Sequence, residues 1–347
     1  MTGENVALEP LRLLAAPLAV TARGPDRIPF WGGCVGTVAV VFDHLKVGDK
    51  VFDEVGGNFD FDHGSVHLTN GRGGLPQQNP AQVEGLLTFD AAAESPYSLK
   101  ATAALNEVDA AALFGAAQPG HDPVIEGRFA VACTLTGNGI NLDDLVRHTQ
   151  EEFRLTSTVG IVRLLKTTVA DAIPEDPTPV SDAVSTASSA AGWLLGLKKG
   201  SGEKTVSKTT DAVLNFTSVI AEIGYDRFTL TAIRGYDRTI RLVDIAMTAP
   251  EERLTGSGQV TYVPGVALRA QPFSAELKLG VRGDVAGLVA KAGLPTSPKD
   301  DQGYTMFSQS LHFGGTLEHI DVSAWRDLLV KALTATRPPD SGKSSGK

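Results

Sequence analysis

Residues 273–281 read FSAELKLGV, and this stretch decides the fold class. Apolar side chains occupy every second position, and Ser274, Glu276 and Lys278 fill the positions between them. This alternation is typical of a β-strand with one face on an apolar core and the other in water. A helix would instead repeat its apolar residues every three or four positions.

The same alternation extends to both sides of this stretch. Upstream, Phe228, Leu230 and Ala232 share one face of a predicted strand. In the next strand, strict alternation places Ile240 and Leu242 on one face and Val243, Ile245 and Met247 on the opposite one. Another predicted strand has Leu254, Val260 and Tyr262 on one side, with Gly256 and Gly258 between them. We interpret these glycines as sites where a second backbone or a ligand approaches closely.

The first half of the chain repeats the pattern. Phe59 and Phe61 alternate with aspartates, Val66 and Leu68 alternate with polar residues, and His63-Gly64-Ser65 between them forms a predicted turn. Asn141 is expected to cap a short helix that carries Asp143 and Asp144 in its first turn. The 37 glycines and 19 prolines suit many strands joined by tight turns.

The pattern changes between Ile161 and Ile223, where the apolar period lengthens towards that of a helix. Leu164, Leu165, Val169 and Ala172 fit one face of a helix that stops at Pro174, and further helices are predicted over 181–197 and over 206–223. Pro174, Pro177 and Pro179 are expected to form a rigid linker. Two more helices are expected over 284–294 and from Ser323 to Leu333.

These patterns predict a mainly β fold: a curled antiparallel sheet, or β-groove, with a helical insertion and a C-terminal helix. The expected organisation is an N-terminal strand segment (1–35), a first β region (36–160), the helical insertion (161–223), a second β region with its helix (224–335) and a disordered tail (336–347). Seven apolar residues of the second β region are predicted to point inward: Phe228, Leu230, Leu242, Val260, Tyr262, Leu277 and Leu279.

Composition argues against several function classes. The net charge is −9, and nucleic-acid binding needs clustered Lys and Arg that this chain lacks. The apolar stretch 11–22 is interrupted by Arg12 and Pro17 and is too short to span a bilayer. Cys34 and Cys133 belong to no C-x-x-C pair; we interpret them as small core residues, with a disulfide between them as the alternative.

No catalytic motif is recognisable, so we expect a non-enzymatic protein without a cofactor. The nearest polar constellation is His63 and His67 with Asp60 and Asp62. These four residues are interpreted as a solvated hairpin, and a metal site is the alternative. A hydrolase that uses groups scattered in sequence stays a remote alternative.

Several segments resemble the C-terminal region of the AsmA-like family, which is distantly similar to TamB and to bridge-like lipid-transfer proteins. The resemblance covers roughly residues 33–333 and rests on strand-and-turn patterns in a fixed order. The segments are GTVAVVFDHLKVGD (36–49) with FDEVGG (52–57) and GSVHL (64–68), YSLKA (97–101) with LNEVDAAALF (105–114), IEGRFAVACTLTGNGINLDDL (125–145) with EFRLTSTVG (152–160), and LHFGGTLEHID (311–321).

This resemblance implies a protein on the periplasmic side of the bacterial inner membrane, attached through an N-terminal anchor that this chain lacks. It also implies a role in outer-membrane maintenance, with phospholipid or another acyl-chain lipid, and envelope proteins, as partners. Two arrangements of the apolar face stay open from the residues: helices cover it as a closed core, or acyl chains lie in it as a groove. The alternative function is a structural or adhesive scaffold that binds a protein partner.

Overall fold

The computed structural model describes residues 2–7, 28–47, 50–74, 79–110, 123–165, 203–317 and 319–335. Its strands are β1 Thr2–Ala7, β2 Val35–Val47, β3 Lys50–Asp62, β4 Ser65–Gly74, β5 Ala81–Phe89, β6 Tyr97–Asp109, β7 Ile125–Gly139, β8 Gln150–Ser157, β9 Gly160–Val162, β10 Ile223–Tyr225, β11 Arg227–Arg234, β12 Ile240–Thr248, β13 Glu252–Val260, β14 Phe273–Val281, β15 Thr296–Lys299, β16 Thr305–Phe307, β17 Leu311–Gly315 and β18 Ile320–Asp321. Its α-helices are α1 Leu142–Arg147, α2 Glu203–Ala221, α3 Gly283–Lys291 and α4 Ser323–Ala335.

The eighteen strands belong to one open sheet. From β2 to β8 every strand pairs antiparallel with the next strand of the chain. β8 then pairs with β11, and the order continues from β11 to β14. β1 is the exception, because it pairs parallel to β2. The predicted fold class, mainly β with an antiparallel sheet, is therefore confirmed.

The two predicted β regions share this sheet, since β8 of the first pairs with β11 of the second along seven residue pairs. The helix predicted over 206–223 is found as α2, and those predicted near 284–294 and from Ser323 are found as α3 and α4. Asn141 caps α1 as expected, because its Oδ1 accepts a hydrogen bond from the Asp144 amide at 2.8 Å.

The start of the predicted insertion is different. Residues 160–162 form β9, which pairs with β10 on one side and with the beginning of β7 on the other. The predicted boundary of the helical insertion at Ile161 was wrong for Ile161 and Val162, because their short apolar run is equally compatible with a strand and their backbone pairs within the sheet. The helix predicted over 181–197, the tail 336–347 and most of segment 1–35 lie outside the described residues.

A β-bulge in β12 corrects the predicted faces of that strand. Leu242 pairs with Gly258 and Ile245 pairs with Gly256, so Val243 and Asp244 together lie opposite the single residue Ser257. The extra residue reverses the alternation. Ile245 and Met247 therefore share a face with Ile240 and Leu242, although strict alternation places them opposite.

The main core lies between the sheet and the helices α2, α3 and α4. Phe216 of α2 is fully buried and contacts the rings of Phe307 and Trp325, with centroid distances of 5.8 and 6.2 Å. Phe228, Leu254, Leu277 and Leu279 belong to the same cluster. Truncating an aromatic ring in such a core typically costs about 3–5 kcal/mol.

A smaller core covers the other end of the first strands. Trp31 lies in a 3₁₀-helix, Phe30–Gly33, and packs edge-on against Tyr97 with ring centroids 6.3 Å apart. Leu145 of α1 and half-buried residues of β3 to β6 complete it. The two clusters lie at opposite ends of the strands: Trp31 is near the start of β2, and the α2 cluster is near the end of β14.

Candidate functional site

One largely apolar face extends across the strands from β2 to β14. Because directly paired residues of neighbouring strands point to the same side of a sheet, the registers define rows of side chains perpendicular to the strands. The central row takes one residue from each of eleven strands: Val40, Gly57, Gly71, Val83, Ala103, Cys133, Phe153, Ala232, Leu242, Gly258 and Ala275.

Two flanking rows border the central row. The first is Val38, Phe59, Leu68, Gly85, Ala101, Leu135, Glu151, Arg234, Ile240, Val260 and Phe273. The second is Phe42, Val55, Gly73, Ala81, Leu105, Val131, Leu155, Leu230, Ile245, Gly256 and Leu277. The opposite face of the same strands is polar; on β7, for example, it presents Thr134 and Thr136 to solvent.

The central row is built mainly from small side chains. Gly258 of this row and Gly256 of the second flanking row show why some positions require glycine. A Cβ on Gly256 would lie 2.1 Å from the Glu276 carbonyl oxygen, and one on Gly258 would lie 2.6 Å from that of Ser274. The backbone of β14 is therefore what approaches these glycines. Elsewhere in the row, Ala103 and Cys133 pair directly, so this part of the face lies lower than the Leu and Phe residues beside it.

Burial differs along the face. Ala103, Cys133 and Phe153 in the middle are only half-buried, as are Leu155 and Leu230 in the flanking row. Near the helices the same face is closed: Phe228, Leu277 and Leu279 are 5%, 3% and 0% exposed and pack in the main core. The predicted closed core therefore occurs at one end of the face, and the middle of the face is a half-open apolar surface.

Six of the seven residues predicted to point inward share this face. Phe228, Leu277 and Leu279 lie in the core, and Val260 is also buried. Leu230 and Leu242 are half-buried beside the core and remain candidates for contact with a ligand. Tyr262 lies beyond the end of β13, where its hydroxyl accepts a hydrogen bond from Arg238 Nη1 at 2.9 Å.

The sequence did not point to the residues in the middle of the face. Cys133, Phe153 and Leu155 alternate as strand residues should, but only the pairing of β7, β8 and β11 shows that they continue the surface of Leu230. Register between distant strands leaves no periodic signal in one sequence.

An ion pair interrupts the apolar character of the first flanking row. Arg234 Nη1 donates to Glu151 Oε1 at 2.5 Å, between Leu135 on one side and Ile240 on the other. Burial, followed by the nearby Glu151 carboxylate, raises the pKa of the Cys133 thiol. Cys133 is therefore a protonated, half-buried thiol at neutral pH. Cys34 is exposed, so its interpretation as a core residue was wrong, and no disulfide joins these two residues.

The polar side chains of the β3–β4 hairpin make local contacts and do not converge on one point. Asp60 accepts hydrogen bonds from the hydroxyls of Thr37 and Thr69, and His63 Nδ1 lies 2.7 Å from Asp62. Within the described ranges, no three His, Cys, Asp or Glu side chains are placed to share a metal ion. Asp62, His63 and His67 are exposed and Asp60 is half-buried, which agrees with their interpretation as a solvated hairpin.

A second concavity lies on the polar face, with a volume of about 330 Å³. It is bordered by His67, Glu84 and Lys100 and by threonines of β6 and β7. These side chains are exposed, so their charges remain hydrated and gain little from a ligand. The apolar face is the stronger candidate, since extended apolar surfaces are what soluble proteins otherwise bury.

Among the helices that the structure describes, none combines the length and apolarity that crossing a bilayer requires. No protein-family model, curated protein or solved structure matches the chain.

Proposed function

We propose that this chain is a non-enzymatic lipid-handling protein that binds the acyl chains of phospholipids along its central row. The observation that carries the proposal is the half-buried middle of the apolar face, from β6 to β11, beside a closed core at one end. A surface of this kind marks a binding site, because leaving it in water opposes folding.

The dimensions suit acyl chains. Eleven strands spaced about 4.8 Å apart make the central row about 48 Å long. The hydrocarbon core of a bilayer is about 30 Å thick, so one acyl chain extends about 15 Å. The central-row residues of β2 to β8 lie outside the main core and span about 29 Å of this length, which is enough for about two chains placed end to end. The small residues of the row provide a shallow track between the two flanking rows.

The energetics suit reversible loading. Each methylene moved from water to an apolar surface gains about 0.8 kcal/mol. Lipid tails already lie in an equally apolar medium when they are in the bilayer, so exchange between membrane and protein is close to neutral. An apolar track with few polar side chains gives an acyl chain about the same free energy as the bilayer does, so the chain can both bind and leave.

The resemblance to AsmA-like proteins supports the cellular part of the proposal. We place the protein on the periplasmic side of the bacterial inner membrane, where it contributes to outer-membrane maintenance by handling or transporting phospholipid. The segments that carry the resemblance include β2 to β4, β7 and β8, which supply much of the half-buried apolar face.

Native mass spectrometry of gently purified protein, with lipid extraction from the same sample, tests the proposal. The wild type is expected to carry phospholipid in defined stoichiometry. Ala103→Asp places a charge in the central row and should abolish binding, and Leu230→Asp should do the same in the flanking row. Thr102→Asp is the matched control, because Thr102 is exposed on the opposite face of the same strand.

A clean mass without lipid, also after incubation with liposomes, would overturn lipid carriage for this chain. It would favour the alternative of a scaffold that binds a protein partner. Lipid bound equally by Ala103→Asp and the wild type would also contradict the proposed site.

A further inference from the structure

Two loops meet at the end of the apolar face that lies away from α2. The turn 235–239 joins β11 to β12, and the loop 261–272 joins β13 to β14. Arg238 links them, because its guanidinium lies 5.2 Å from the centre of the Tyr262 ring as well as donating to the Tyr262 hydroxyl. We call these two segments the loop surface.

The loop surface presents apolar side chains to solvent. Tyr236 is 58% exposed and Leu268 is 57% exposed, and Val263 and Val266 are each more than one third exposed. Tyrosines beside exposed aliphatic residues are the composition that proteins place at membrane interfaces, where one part of the ring is apolar and the hydroxyl is wet.

The loop backbone is held in place from below. The buried Gln271 side chain accepts a hydrogen bond from the Val263 amide at 2.6 Å and donates to the carbonyls of Val263 and Val266 at 2.9 and 2.7 Å. Entry into an apolar medium is costly for unpaired backbone groups. These bonds lower that cost and keep Val263, Val266 and Leu268 in a fixed arrangement.

The charge of the loop surface is opposite to that of the chain. Residues 235–239 and 261–272 contain Arg238 and Arg269 and a single acidic residue, Asp237, whose carboxylate is neutralised by Arg241 of β12 at 2.7 Å. The whole chain has a net charge of −9. A local excess of arginine on an acidic protein attracts an anionic surface.

We propose that the loop surface docks onto the surface of a bilayer that contains anionic phospholipid. Val263, Val266 and Leu268 enter the headgroup region, and Arg238 and Arg269 contact lipid phosphates. The docking goes beyond lipid carriage and does not require it. If carriage also holds, docking places Ile240, Val260 and Phe273 of the first flanking row next to the membrane. These residues begin or end the strands that the two loops join.

Flotation of the full chain with vesicles tests the docking. Binding is expected to mixed phosphatidylcholine–phosphatidylglycerol vesicles, to fall with added salt and to be weak with phosphatidylcholine alone. Leu268→Asp should weaken binding about tenfold or more. Arg269→Gln should weaken it about fivefold.

Matched controls lie elsewhere on the surface. Val159→Asp changes a 70% exposed valine at the opposite end of the strands, and Arg227→Gln removes an exposed arginine there. Both should bind vesicles like the wild type. Circular dichroism establishes that each variant is folded.

Wild-type protein that does not float, or Leu268→Asp and Arg269→Gln that float as well as the controls, would overturn the proposal. So would a dimer in analytical ultracentrifugation that these two substitutions disrupt while vesicle binding is unchanged, because the loop surface would then serve a second copy of the chain. Acyl-chain occupancy in native mass spectrometry is measured separately, so failure of docking and failure of carriage are distinguishable.

Discussion

The Glu151 carboxylate and the Arg234 guanidinium meet across β8 and β11, with Oε1 2.5 Å from Nη1, in a row that is otherwise apolar. The Glu151 side chain is only 17% exposed, so it depends on Arg234 for neutralisation. A half-buried charge that loses its partner retains its desolvation penalty.

Arg234→Leu is therefore expected to lower the free energy of unfolding by about 1–3 kcal/mol. The double variant Glu151→Leu/Arg234→Leu should recover most of this loss, because an apolar pair matches its neighbours Leu135 and Ile240. Urea unfolding measures both. Arg241→Leu is the control: its partnership with Asp237 is half exposed and should change stability by about 1 kcal/mol or less. A double variant as unstable as the single one would contradict this account.

Cys133 offers a chemical probe of the central row. Because burial and Glu151 both raise the pKa of its thiol, the thiolate that reacts with iodoacetamide forms only at higher pH than usual. Glu151→Gln removes the second cause, so the midpoint of the alkylation rate against pH should move down. Mass spectrometry of the modified peptide in a Cys34→Ser background follows the reaction.

The same thiol reports on lipid. Phospholipid bound along the central row should slow alkylation of Cys133 and leave the exposed Cys34 of the wild type unaffected. Equal rates with and without bound lipid at Cys133 would place the acyl chains elsewhere.

The buried Glu252 carboxyl should make the stability of the fold depend on pH. It is 8% exposed, and burial, together with the neighbouring Glu251 carboxylate, raises its pKa in the folded state. A carboxyl with a raised folded pKa contributes its stability at low pH and loses it as the pH rises through that pKa. Glu252→Gln should therefore raise Tm at neutral pH, with a benefit that disappears at pH values below the ordinary glutamate range of about 4.3. An equal benefit at all pH values, in thermal unfolding followed by circular dichroism, would exclude this cause.

Substitution of alanine for two of the glycines should change the free energy of unfolding in opposite directions. Gly256→Ala brings a methyl group against the Glu276 carbonyl oxygen and should destabilise the protein by about 1–3 kcal/mol or more. Gly287 lies inside α3 with nothing within 4 Å of an added Cβ, so Gly287→Ala should stabilise by about 1 kcal/mol. Paired chemical denaturation of the two variants checks both signs, and a neutral Gly256→Ala would contradict the close approach of β14.

Local patterns in the sequence predicted much of the fold. The alternation in 273–281 predicted β14, and Asn141 followed by Asp143 and Asp144 predicted the capped helix α1. Features that depend on pairing with residues distant in sequence were not predicted. The bulge at Val243 and Asp244 is visible only against β13, and β9 and β10 are three residues long, too short for any period. For the same reason the middle of the apolar face, where three separate strands meet, was not predicted.

The order of the strands has a consequence for how such a chain changes during evolution. From β2 to β8, and again from β11 to β14, each strand pairs with its neighbour in sequence, so a hairpin can be inserted or deleted without rearranging the others. Each added hairpin lengthens the sheet by about 10 Å and extends every row by two residues. The number of hairpins therefore sets the length of the central row, and with it the length of apolar surface that the sheet offers along one face.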